Sequence, residues 1–118
     1  YKCLFITVGK SLQNLRDTMN DYSTTTFDGE FAKLVKPSLL VLDDLGAEKK
    51  SEWGQEQVFN LIEARSVDDK HTFYTSNLDP QELEAFYGGR IKDRLIAQSV
   101  WIKIVGPSWR KRAYEQEW

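Results

Sequence analysis

The chain predicts an α/β fold built on a parallel sheet with helices on both faces. Three observations carry that expectation. Strand-like and helix-like stretches alternate along the chain, the pattern of βαβ units. Leu39-Leu40-Val41-Leu42 is an apolar run bounded by Pro37-Ser38 and Gly46, as a short strand buried on both faces requires. The length of 118 residues suits one domain with one core.

The elements follow in order. Cys3 to Val8 reads as a strand. Leu12, Leu15, Met19 and Tyr22 recur at helical spacing, so a helix is expected over Ser11 to Tyr22. Tyr22 to Asp28, with its Thr24-Thr25-Thr26 run, reads as a loop. Glu30 to Lys36 reads as a short helix that Pro37 stops. The strand at Leu39 comes next, then a loop over Gly46 to Glu52. Val58, Leu61, Ile62 and Arg65 mark a helix from about Trp53 to Val67. His71 to Thr75 is rich in β-branched and aromatic residues and reads as a strand. Asp79-Pro80-Gln81-Glu82 combines an N-cap, a proline at the first helical position and a capping-box Glu. That helix runs to Tyr87 and ends at Gly88-Gly89. Arg90 to Ala97 resumes as a helix, and Val100 to Val105 is expected as the last strand before Gly106-Pro107. Phe5, Val41 and Phe73 should lie on adjacent parallel strands.

Composition narrows the function classes. With 41% hydrophobic and 29% charged residues the chain is globular rather than disordered, and no apolar run nears the length of a membrane span. Cys3 is the single cysteine, so there is no disulfide framework, which suits a cytoplasmic protein. A net charge of -2 argues against a wholesale basic nucleic-acid binder. The charge is nonetheless uneven. Asp43 to Glu84 is acid-rich, whereas Arg90, Lys92, Arg94, Lys103, Arg110, Lys111 and Arg112 face only Asp93. Such a stretch is either a solvated face or a cationic wall around an anionic ligand.

The sharpest feature is the end of the buried strand. Asp43 and Asp44 place two carboxylates where charge is costly unless it meets a cation or water. The carboxyl ends of parallel strands are also where ligands bind in open sheets. This is the pattern of a Walker B motif, in which the first Asp holds hydrated Mg²⁺ on a nucleotide phosphate and the second acid polarises an attacking water. An ordinary strand with an acidic N-cap to the next helix gives the same string. Thr75-Ser76-Asn77 ends the following strand, and parallel pairing would bring Asn77 near Asp44. An amide there donates to a phosphate and accepts from water, although Ser-Asn is also ordinary turn chemistry. Arg90 and Arg94 share a helix face, either solvated or available to a neighbouring subunit's phosphate, and Arg110 is a third cation suited to phosphate.

The runs LLVLDDLGAEKKSEWGQEQVFNLIEAR, FYTSNLDPQELEAFYGGRIKDRL and PSWRKR resemble the DnaC/DnaI-type helicase loaders, which are AAA+ ATPases close to the IstB-like transposition ATPases. FITVGKSLQNLRD resembles the family's second strand and following helix, so the likeness covers nearly the whole chain. The resemblance implies a three-layer αβα P-loop NTPase core with a parallel sheet, lacking the phosphate-loop strand, with residues 1–118 forming part of an AAA+ domain (Walker B to sensor-two region). It implies ATP and Mg²⁺ as cofactors, with Asp43 as the metal-binding residue and Asp44 at the catalytic acid position, where many relatives carry Glu. It further implies Asn77 as sensor one, Arg94 as an arginine finger acting in trans, and Arg110 as the sensor-two arginine. Arg90 is a weaker candidate at the same interface. The implied partners are a replicative helicase, single-stranded DNA and further copies of the chain.

One departure stands out. No G-x-x-x-x-G-K-[ST] loop is present, because Gly9-Lys10-Ser11 lacks the preceding glycine-rich turn. A chain without that loop has no amides or lysine to cradle phosphates and should bind ATP poorly. In the family's sheet the phosphate-loop strand separates the sensor-one strand from the last strand, so Val100 to Val105 would lack a neighbour. The natural protein is therefore expected to carry a phosphate-loop unit, and a helicase-binding domain, upstream of Tyr1.

Other residues support simpler roles. His71 opens a strand and has no second His to share a metal. Trp53, Trp101 and Trp109 suit packing, and Lys49-Lys50 a solvated loop. Tyr22, Phe27 and Phe31 suit either packing beneath the loop or stacking on single-stranded bases. Three function classes compete: an ATP-driven helicase loader or its close alternative, a transposition helper; a helicase-binding scaffold without turnover; and a phosphoacceptor receiver using Asp43, Asp44, Thr75 and Lys103. The receiver is set aside because no further Asp ends an intervening strand.

Overall fold

The computed structural model describes residues 2–106. Its elements run β1 (Cys3–Thr7), α1 (Val8–Asp17), α2 (Phe27–Val35), β2 (Leu39–Leu45), α3 (Glu52–Val67), β3 (His71–Ser76), α4 (Pro80–Tyr87) and α5 (Gly89–Gln98). The strands form one sheet in the order β1-β2-β3, and both pairings are parallel. Phe5 lies opposite Val41, and Val41 opposite Phe73, as the alternation of elements requires.

Parity along the strands decides which side is core. Leu40 and Leu42 are fully buried against Val8, Leu12 and Leu15 of α1, Leu34 of α2, and Val58, Leu61 and Ile62 of α3. The opposite parity carries Phe5 and Phe73, which are 65% and 63% exposed. Among the described residues, then, the apolar seal lies on one face of the sheet. Leu83, Tyr87, Ile91 and Leu95 are buried along the α4–α5 pair.

Local caps set the helix ends more tightly than apolar spacing does. The Thr7 hydroxyl accepts from the Lys10 N–H at 3.0 Å, so α1 starts at Val8 instead of Ser11. It ends at Asp17 instead of Tyr22, because Met19 and Tyr22 are exposed and contribute nothing to the buried stripe. Thr26 caps α2 through the Gly29 N–H at 3.0 Å, which moves its start from Glu30 back to Phe27. Ser51 caps α3 in the same way. The Asp79–Glu82 capping box forms as expected, and Gly88 takes the positive φ of 92° that separates α4 from α5. Val100–Val105, expected as a strand, joins none among the described residues. A strand exists through its partner's hydrogen bonds, and here Val100, Ile102 and Ile104 stand exposed instead.

Arg65 is the least expected member of the interior. It is 1% exposed and donates five hydrogen bonds. Its guanidinium reaches the Leu34, Val35 and Pro37 carbonyls at 2.9–3.0 Å, the His71 carbonyl at 2.7 Å and the Thr72 hydroxyl at 2.8 Å. One side chain on α3 thus satisfies the orphan carbonyls at the end of α2 and holds the start of β3. Arg65→Ala strands several of these buried carbonyls and opens a void. A loss of about 3–5 kcal/mol is expected, read as a lower denaturation midpoint at unchanged m-value. Arg65→Lys should recover only part, because an ammonium cannot span the same fork of acceptors.

Candidate functional site

The carboxyl end of β2 is irregular where the acidic pair lies. Pairing with β3 runs through Leu42 opposite Tyr74 and resumes with Leu45 opposite Ser76. Asp43 and Asp44 therefore face the single residue Thr75, which is a β-bulge in a parallel ladder. Asp44 occupies the left-handed region at φ 61°, which an Asp tolerates better than most residues. The Asp44 N–H donates to the Thr75 hydroxyl at 2.9 Å, and that hydroxyl donates to Asp43 Oδ1. Asp43 is half-buried and Asp44 exposed, so the pair meets solvent at the strand's end. Neither acid caps a helix. Ser51 holds that position for α3, which removes the N-cap alternative.

The loop beyond is pinned to α4. Gly46 has φ 88°, and a Cβ there would sit 2.2 Å from Leu78 Cδ1, so only glycine fits. Its N–H reaches Glu48 Oε1 at 2.8 Å and the Tyr87 hydroxyl at 2.9 Å. Tyr87 in turn donates to Glu48 Oε2. Burial, then Glu48, pushes the Tyr87 phenol well above its ordinary range, so it remains a donor at any physiological pH. Lys50 and Gln55 donate to the Ala85 and Phe86 carbonyls, closing the last turn of α4. The chain after the acidic pair is held by the helix that leads into Arg90 and Arg94.

The expected site residues fall into separate groups. Asp43 and Asp44 are together, with Thr75 as the side chain hydrogen-bonded to both. Asn77 lies two residues further on, exposed in the bend after β3. Arg94 is on α5, where its Nε stands 3.0 Å from Glu63 Oε1 of α3 with its side chain 48% exposed. Arg90 stacks on the Phe59 ring at 3.8 Å and reaches Glu56 at 3.4 Å. Arg110 and Trp109 lie outside the described residues. Phe27 and Phe31 stack on each other at 6.1 Å and pack against the core, whereas Tyr22 is exposed. Trp53 packs on the core beneath Arg16. Among the described residues no three His, Cys, Asp or Glu gather as a metal cage.

Sequence reasoning set Thr75 beside the pair only in the receiver reading, and passed over it as a hydrogen-bond partner of Asp43 and Asp44. The signal was available, since the Val41–Phe73 register carried forward two residues puts Thr75 opposite Asp43.

Residues 1–117 match the family described as IstB-like ATP binding protein. The chain belongs to that family. It is 27% identical over 115 residues to the replicative helicase loader DnaC of Buchnera aphidicola, covering 97% of this chain and 47% of that protein. The DnaC of Escherichia coli is 26% identical over 116 residues, with 98% and 47% covered. The chain thus spans about half the length of these relatives. A crystal structure of the DnaC helicase loader superposes with TM-score 0.68 at 23% identity, over 81% of this chain and 57% of that one. AMPPCP-bound DnaA from Aquifex aeolicus superposes with TM-score 0.71 at 18% identity, over 82% and 29%. The fold of this IstB-like chain is the α/β fold of AAA+ P-loop NTPases, with an open parallel sheet. No helix among the described residues is long and apolar enough to cross a membrane.

Proposed function

We propose that the chain is part of the ATPase of a cytoplasmic helicase loader, which uses ATP to place a replicative helicase on single-stranded DNA. The observation that carries this is the bulged Asp43–Asp44 pair at the end of the central strand, in a chain of the IstB-like family whose curated relatives include DnaC. The residues present fit the metal half of a nucleotide site. Mg²⁺ takes one or two carboxylates and keeps its waters and the phosphates as remaining ligands, so Asp43, whose Oδ2 has no hydrogen bond among the described residues, is a sufficient protein contribution. When bound, Mg²⁺-ATP supplies the polarised phosphoryl group. Asp43 would hold the hydrated metal, and Asp44 would be placed to take a proton from the attacking water. Asn77 senses the phosphate, Arg110 neutralises it in the same subunit, and Arg94 completes the site of the next.

A second reading has its own support. An ATP-binding protein in an insertion sequence of Mycobacterium tuberculosis is 26% identical over 108 residues, covering 87% of this chain and 43% of that protein. On that reading the same ATPase assists transposition. The deciding experiment mixes the full-length protein with the replicative helicase of its host and labelled single-stranded DNA, with and without ATP. ATP-dependent transfer of helicase onto DNA is the expected result. Helicase binding that ignores ATP would make the protein a scaffold. Absence of helicase binding, with capture of a transposase encoded beside it, would favour the transposition helper.

A further inference from the structure

We infer that Thr75 is the positioning residue of the acidic pair: its hydroxyl replaces the ladder hydrogen bond that the bulge removes and aims the Asp43 carboxylate. The inference rests on the reading of Asp43 as the metal-binding carboxylate. Hydrogen-bond chemistry fixes the direction of both contacts. A backbone N–H can only donate, so the Thr75 oxygen accepts from Asp44 at 2.9 Å. The hydroxyl's one proton is then left for Asp43 Oδ1.

Each half of this bridge has a consequence. The bulge sets two β2 residues against one β3 residue, which leaves an amide without its ladder partner. Thr75 satisfies it and holds Asp44 in its left-handed turn at φ 61°. On Asp43, occupation of Oδ1 leaves Oδ2 as the oxygen to face a hydrated cation, so the carboxylate presents one defined lone-pair set instead of rotating. Partners of this kind, one step behind a metal ligand, typically change metal affinity by about 10–100-fold when lost. Valine at this position keeps the shape and β-propensity and loses both hydrogen bonds.

The test is equilibrium binding of a fluorescent ATP analogue to the full-length protein, measured in Mg²⁺ and in EDTA, with the ratio of the two affinities as readout. Thr75→Val should shrink the Mg²⁺-dependent gain by about tenfold or more, and Thr75→Ser, which keeps the hydroxyl, should restore it to within about threefold of the parent. Asp43→Ala should abolish the gain. A gain that survives Asp43→Ala overturns the metal assignment itself. A gain lost in Asp43→Ala but intact in Thr75→Val, with only a lower thermal midpoint, overturns the positioning role alone. If Thr75→Val does not fold, Thr75→Ala carries the same comparison, because it removes the hydroxyl without adding bulk.

Discussion

Asp44→Asn is expected to leave nucleotide binding intact in the full-length protein while steady-state ATP hydrolysis falls by about a hundredfold or more, the range over which a positioned general base acts. The carboxamide keeps the shape of the side chain and the left-handed backbone that Asp and Asn share. It also leaves the Asp44 N–H to Thr75 contact in place, because that bond uses the backbone. What it removes is the ability to accept a proton. Asp43→Ala should differ in kind, because on the proposed reading it deletes the metal-holding group and with it the Mg²⁺ dependence of binding. Hydrolysis by Asp44→Asn at the parental rate would remove Asp44 from the chemistry. Aspartate is a shorter acid than glutamate, and the positive φ of Asp44 is where that difference is felt. The bulge carries the acid's backbone out of the regular ladder and into solvent.

The elements that were legible in the sequence are those fixed by neighbours a few residues apart. The capping box at Asp79–Glu82, the apolar run of β2 and the 3.6-residue spacing of Val58, Leu61, Ile62 and Arg65 are all local signals, and each formed. The parallel order and the Phe5–Val41–Phe73 register followed from alternation alone. Features created by distant contacts were not legible. The bulge at Asp43–Asp44 shifts parity on one strand only, and no residue type announces it. Arg65 looked like one more position on a helical stripe, yet it caps a helix about thirty residues upstream through the Leu34 and Val35 carbonyls. The Tyr87–Gly46 contact joins residues 41 apart in sequence. Val100–Val105 has strand composition without a strand partner among the described residues, and composition alone does not make a strand. For Asn77, Arg94 and Arg110 the residues suggested phosphate chemistry, and the specific roles of sensor and finger came from the family likeness.

Arg94→Ala is the substitution with the largest expected effect on turnover. An arginine finger adds about a thousandfold or more to phosphoryl transfer, and one acting in trans does so only at the neighbouring subunit's site. In the single chain Arg94 Nε stands 3.0 Å from Glu63 Oε1, a buried oxygen, while the Arg94 side chain is 48% exposed. Turning to a neighbour's phosphate would therefore require Arg94 to leave Glu63. The loop after the acidic pair and the helix before Arg94 are tied together through Gly46, Glu48 and Tyr87. On the proposed reading, a subunit would carry its own acids and the finger it lends as one connected unit. Arg94→Ala should reduce hydrolysis in the assembled full-length protein while nucleotide affinity stays near the parental value. Mixing Arg94→Ala subunits with Asp44→Asn subunits should restore part of the activity, because an intact finger on the second meets an intact acid on the first. Arg110→Ala should behave otherwise: it weakens ATP binding, and mixing does not rescue it, since that arginine serves its own subunit. If no mixing ratio recovers turnover while assembly by mass is unchanged, Arg94 does not act across the interface. Its pairing with Glu63 would then be the whole of its role.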